Sequence, residues 1–156
     1  MKYSSHFFIF IISLKIKTTT MTTLSVTAAI SAPVQEVWNY WNSPEHITKW
    51  NQASPDWHTP FAENDLRPGG TLKARMEAKD GSMGFDFGGT YTVVIPYERI
   101  EYTLGDGRNV VVEFSVQDNH TIVTEHFDAE DMHPHEFQQA GWQAILNSFK
   151  SYVESL

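Results

Sequence analysis

From Leu24 to Ile30 every second residue is apolar, with Leu24, Val26, Ala28 and Ile30 on one side, which is the period of a half-buried β-strand. The period then lengthens. In APVQEVWNYWNSPEHITKW (32–50), Val34, Val37, Trp38 and Trp41 recur at intervals of three and four, behind a proline at 33 that suits a first helical turn. Ser43 and Pro44 restart a second short helix that ends near Trp50. Between about 57 and 128 the period of two returns in six pieces. The dividers are Arg67-Pro68-Gly69-Gly70, Asp80-Gly81, Pro96-Tyr97, Gly105-Asp106-Gly107 and Asp118-Asn119, all of turn-forming composition. Strands joined so closely predict an antiparallel meander.

Two features add shape to this plan. Gly84, Gly88 and Gly89 fall inside one predicted strand, which implies a bulge or strong bend and a curved sheet. The last 23 residues, PHEFQQAGWQAILNSFKSYVESL, open on Pro134 and place Phe137, Gly141, Ile145, Phe149, Tyr152 and Leu156 on one stripe, widened by Trp142, Leu146 and Val153. A helix of about 22 residues would be about 33 Å long, and a broad sheet is needed to cover it. The order is one strand, two short helices, six strands and one long helix. An α+β domain follows: a curved antiparallel sheet of about seven strands wrapped around a long C-terminal helix, the helix-grip architecture. No repeat or linker divides 22–156, and 156 residues suit one core.

The start of the chain is set apart. MKYSSHFFIFIISLKIKTTT has an apolar run from Phe7 to Ile12, too short to span a bilayer, followed at once by Lys15 and Lys17 with no small-residue cleavage site. Residues 1–21 are expected to be an N-terminal extension, disordered or the result of a mis-set start, with a secretion signal as the lesser alternative.

Composition narrows the partners. Met21 onward holds eight Lys and Arg against 19 Asp and Glu, a net charge of −11, which disfavours nucleic acid and anionic membrane surfaces in the absence of a basic patch. The chain has no cysteine, so disulfides, thiolate nucleophiles and Cys-ligated metals are excluded and a reducing cytoplasm is the compatible location. Aromatic residues make up 13% of the chain, with five Trp and ten Phe.

Strand alternation places Leu72, Ala74 and Met76, then Phe85, Phe87, Gly89 and Tyr91, then Ile100, Tyr102 and Leu104, then Val110, Val112 and Phe114, then Val123, Glu125 and Phe127 toward the helix. Lys73, Arg75, Glu77, Asp86, Thr90, Glu101, Glu113 and Thr124 face the other way. So many rings either fill a core or line a cavity in which the hydroxyls of Tyr91 and Tyr102 orient a mostly apolar ligand. The candidate ligand contacts are Trp41, Trp50, Met76, Phe85, Phe87, Tyr91, Tyr102, Val112, Phe114, Glu125, Trp142 and Ile145. Glu125 is the sharpest of these, because a carboxylate between Val123 and Phe127 must find a donor, hold a proton, or reach solvent at a strand edge. His133 and His135 form an H-x-H pair, with His126 and His120 upstream. No third ligand has suitable spacing, so a solvated loop is expected, with no metal and no cofactor. Nucleophile-elbow, P-loop and dinucleotide-binding signatures are missing, so no catalytic residue is assigned.

Several stretches carry a resemblance: APVQEVWNYWNSPEHITKW (32–50), RPGGTLKARMEAKDGSMGFDFGGTY (67–91), PYERIEYTL (96–104), VTEHFDAE (123–130) and AGWQAILNSFKSYVE (140–154). In these the chain resembles the activator of heat-shock protein 90 ATPase homologue family, within the START-like, Bet v 1-like superfamily. The resemblance implies the helix-grip fold. It does not imply one function, since that superfamily includes lipid and hormone binders, aromatase/cyclases and co-chaperone domains. The co-chaperones also carry an additional N-terminal domain to which nothing in this sequence corresponds.

The leading expectation is a domain that binds an apolar, aromatic or lipid-like small molecule between sheet and helix. One alternative is a cyclase or dehydratase that uses the same cavity, with Glu125 as acid/base and Tyr91 or Tyr102 as oxyanion donor. The other is a co-chaperone-like domain that docks a protein partner through an exposed apolar face.

Overall fold

The computed structural model describes residues 21–156, so the expected extension over 1–21 lies outside the described residues apart from Met21. Strand β1 (Thr23–Ile30) leads into helices α1 (Val34–Asn42) and α2 (Pro44–Trp50). There follow β2 (Trp57–Asn64), β3 (Thr71–Ala78), β4 (Gly84–Ile95), β5 (Arg99–Leu104), β6 (Asn109–Gln117), β7 (His120–Asp128) and helix α3 (His135–Glu154). The sheet order is β1-β7-β6-β5-β4-β3-β2, with every pair antiparallel. The predicted meander over β2 to β7 is thus observed, and β1 joins its far side beside β7.

Punctuation residues act where the sequence placed them. Pro33 and Pro134 stand at the N-caps of α1 and α3, and Ser43 ends α1 just before Pro44 opens α2. Gly69, Gly81 and Gly107 adopt positive φ in their turns. The bend in β4 is more specific than expected. A Cβ on Gly88 would collide with the Leu72 carbonyl of β3, and one on Gly89 with the Thr103 carbonyl of β5. These glycines therefore admit close approach of both neighbouring strands, while the register shift falls after them, between Tyr91 and Val93.

Helix α3 lies against the concave face and buries Leu146, Phe149 and Val153. Fully burying such a side chain is worth about 1.5–3 kcal/mol. The predicted stripe needs correction at both ends, because Phe137 and Leu156 are each 66% exposed. At the N-terminal end Gln138 is buried instead of Phe137. Its Nε2 donates to the carbonyls of Glu130 and His133, and its Oε1 accepts from the Glu130 N–H. A polar anchor for the incoming loop thus occupies the core-facing position, and Phe137 stacks on His133 outside it. Leu156 lies beyond the last helical turn.

Side-chain hydrogen bonds fasten the helices to the sheet. Gln139 and Gln143 donate to the edge carbonyls of Ser25 and Thr27 at 2.8 and 3.0 Å, which covers the outer rim of β1. Ser148 donates to the Trp50 carbonyl at 2.7 Å, and His46 Nδ1 pairs with Tyr152 Oη at 2.7 Å. The convex face carries the predicted polar set as a lattice of mixed charge. Arg75 bridges Glu77 and Asp86, Arg99 bridges Glu101 and Glu113, and Lys73 reaches Asp86. Among the described residues no helix is long and apolar enough to cross a membrane.

Candidate functional site

Between the concave sheet and the three helices lies a cavity of about 250 Å³. Helices α1 and α2 close one end with Trp41 and Trp50, whose rings stack at 4.9 Å and both meet Phe149 edge-on. The Trp50 indole N–H donates to the Tyr40 carbonyl at 2.9 Å, which fixes that ring. Helix α3 supplies Trp142 and Ile145 from the opposite side. Trp142 lies flat on Phe127, with centroids 4.0 Å apart, and meets Phe87 edge-on. Phe85 borders the cavity while 47% exposed, so the cavity reaches solvent near the β3–β4 end.

Ten of the twelve candidate contacts border this space: Trp41, Trp50, Met76, Phe85, Phe87, Tyr91, Tyr102, Glu125, Trp142 and Ile145. Val112 and Phe114 do not. Both face the helix side as alternation required, but Val112 is wholly buried and Phe114 packs edge-on against Trp38 and Trp41. Strand β6 runs beneath α1, and its inward residues Val110, Val112 and Phe114 belong to the core.

Several bordering residues were not named as contacts from sequence. Leu72, Ala74 and Ile100 were placed on the correct face. Ile47 comes from the middle of the short α2, and Asn42, Asn51, Asn64 and Arg108 come from helix ends, a strand end and a turn, where periodicity is silent. Asn64 matters most among them. Tyr91 Oη donates to Asn64 Oδ1 at 2.6 Å, Asn64 Nδ2 donates to the Asn42 carbonyl at 2.8 Å, and Asn42 Nδ2 donates to the Trp38 carbonyl at 2.9 Å. This chain ties β4, β2 and α1 together. Burial holds the Tyr91 hydroxyl well above its ordinary pKa, with the Asn64 bond opposing the shift.

Glu125 and Tyr102 are different. Glu125 is 4% exposed, and burial alone pushes its carboxyl up to about 8, so it is predominantly protonated at neutral pH. Burial, and then the nearby Glu125 charge, raise Tyr102 well above its usual range. No hydrogen bond from a described residue reaches either group. No polar side-chain atom sealed inside the described protein lacks a partner, so these oxygens lie against cavity space. The Tyr91 and Tyr102 rings meet edge-on at 5.9 Å. A neutral carboxyl and a phenol in an apolar chamber can donate hydrogen bonds or exchange a proton with a bound molecule.

The family model "Activator of Hsp90 ATPase homolog 1-like protein" matches residues 31–154. The chain belongs to this family. Its members include a protein from Aeromonas hydrophila with a solution structure that is 47% identical, covers 86% of this chain and 93% of its own, and superposes with a TM-score of 0.81. A protein from Cytophaga hutchinsonii is 55% identical over 86% of this chain and 92% of its own, with a TM-score of 0.72. A more distant structure from Chromobacterium violaceum is 25% identical over 85% and 96%, with a TM-score of 0.75. No curated protein matches the chain. Family membership accounts for the seven-stranded sheet, the paired short helices and the long last helix, which together form the START-like, Bet v 1-like helix-grip fold.

Proposed function

We propose that this domain binds a small, mostly apolar and ring-containing molecule in the cavity between the sheet and α3. The observation that carries this reading is a space of about 250 Å³ that no side chain fills, walled by aromatic rings and set into the core between sheet and helices. Protein interiors do not ordinarily keep such volume empty. Its size is just below the roughly 300–1,000 Å³ usual for drug-sized ligands, which suits one or two rings better than a long acyl chain. A reducing cytoplasm is the compartment that fits this cysteine-free chain.

Native mass spectrometry of freshly purified protein tests the reading. Extra mass of a few hundred daltons, released on unfolding, is the expected result. Repeated recovery of the bare chain, together with failure to bind any apolar ring compound, counts against it.

Glu125 and Tyr102, which border the same cavity, favour one second reading, a cyclase or dehydratase in which the Glu125 proton is transferred and Tyr102 steadies the developing oxyanion. Turnover of a ring-closing polyketone that fails in Glu125→Gln would support it. For the protein-docking reading the convex face offers ion pairs in place of an apolar patch.

A further inference from the structure

We propose that the ligand carries a neutral carbonyl oxygen that accepts hydrogen bonds from Tyr102 Oη and the Glu125 carboxyl together. This rests on the reading of the cavity as a binding site and adds the chemical class of what enters it.

Most polar groups around the cavity are already engaged within the protein. Tyr91 is committed to Asn64, Asn64 to the Asn42 carbonyl, and Asn51 Nδ2 to Thr59 at 3.2 Å. Arg108 is held by Asp106 at 2.8 Å. Tyr102 and Glu125 alone among the ionisable and hydroxyl groups bordering the cavity have no partner from the described residues. Each brings one O–H donor.

Register places both on one face. Val112 of β6 lies opposite Glu125 on β7 and opposite Ile100 on β5, two residues from Tyr102. Both side chains border the same cavity, near enough that the Glu125 carboxylate, where it ionises, raises the Tyr102 hydroxyl further. Two donors bordering one cavity, neither with an acceptor among the described residues, offer a site for an acceptor oxygen.

Charge then selects among ligands. The titratable groups around Glu125 are Tyr102 from β5, Tyr91 from β4 and Arg108 from the β5–β6 turn. Helices α2 and α3 contribute only Ile47, Trp50, Asn51, Trp142 and Ile145, none of which titrates. An ammonium ligand would require Glu125 to ionise and both charges to leave water, a cost that the attraction seldom exceeds. A carboxylate ligand would carry its charge out of water, and the cation bordering the cavity, Arg108, is already engaged by Asp106. A neutral carbonyl meets both donors without burying charge.

The test is calorimetric titration with 2-acetylnaphthalene, 2-ethylnaphthalene and 1-(2-naphthyl)ethylamine. The ketone is expected to bind about tenfold more tightly than the hydrocarbon at pH 6. That advantage should shrink above pH 8, where a carboxylate cannot donate. It should also fall to about threefold or less in Tyr102→Phe and Glu125→Met, and survive in Glu125→Gln, whose amide still donates. In infrared spectra the bound ketone's C=O stretch should lie at lower wavenumber than in alkane solvent, and less so in Tyr102→Phe. This arm stands even if Glu125→Met does not fold. Equal binding of ketone and hydrocarbon, or tightest binding of the amine, overturns the proposal and leaves the cavity a binding site. Failure of all three to bind overturns both.

Discussion

Glu125 stands on β7 between the wholly buried Val123 and Phe127, with no described partner for its carboxyl. Its pKa is pushed up to about 8 from an ordinary 4.5, so between those values the folded protein keeps a proton that the unfolded chain has released. The contribution to stability is fullest below pH 4.5, declines as pH rises, and is fully lost above about 8. Over that window the slope for one such group is about 1.4 kcal/mol per pH unit. Glu125→Gln removes the titration while preserving shape. Urea denaturation at pH 5, 6, 7 and 8 should show the variant gaining on the parent protein at each step. A constant difference would mean that the carboxyl is already ionised in the fold, and would remove the donor on which the carbonyl proposal depends.

The alternation of apolar and polar residues made the strands legible, because each has one face on the core and one on solvent. Turn residues marked their ends for the same reason that they form turns. Helix α3 was legible in extent but less so in rotation: Phe137 fits the stripe by spacing, yet Gln138 holds the inward place because it satisfies the Glu130 and His133 carbonyls. Periodicity weighs apolar area and does not register such a polar anchor. Gly141 also falls on the predicted stripe, but a Cβ there would meet nothing within 4 Å. Gly141→Ala should therefore stabilise the protein by about 0.5–1 kcal/mol through helix propensity, read as a higher urea midpoint with unchanged slope. A loss of stability would show that this position needs glycine for some other reason. In β4 the expectation is opposite. The Thr103 carbonyl that a Cβ on Gly89 would strike is backbone held in the β4–β5 pair, so Gly89→Ala should cost about 1–3 kcal/mol. Retention of full stability would mean that the strands can separate there without penalty.

At the scale of the whole molecule, a curved sheet closed by helices need not leave a hole; side-chain volume decides whether it does. The sequence showed which residues face inward, but not which inward residues meet one another. Val112 and Phe114 on β6 are packed, Phe114 under α1, whereas Ala74 on β3, three strands across the sheet, borders open space though only 2% exposed to solvent. The two outcomes differ by helix placement, a long-range property that strand periodicity does not contain. Ala74 thus offers a test of the cavity itself. Ala74→Leu adds three carbons toward it. If the space is a true void in the unliganded protein, those carbons are buried without displacing neighbours, and each adds up to about 0.8 kcal/mol. A gain of about 1–2 kcal/mol in unfolding free energy is expected, together with at least tenfold weaker binding of 2-ethylnaphthalene in the same titration. If the walls close when the site is empty, the added side chain must overpack them, and stability should fall by about 1–3 kcal/mol instead. The sign of the change therefore reports whether the binding space is preformed, and so whether a ligand gives up part of its binding energy to open it.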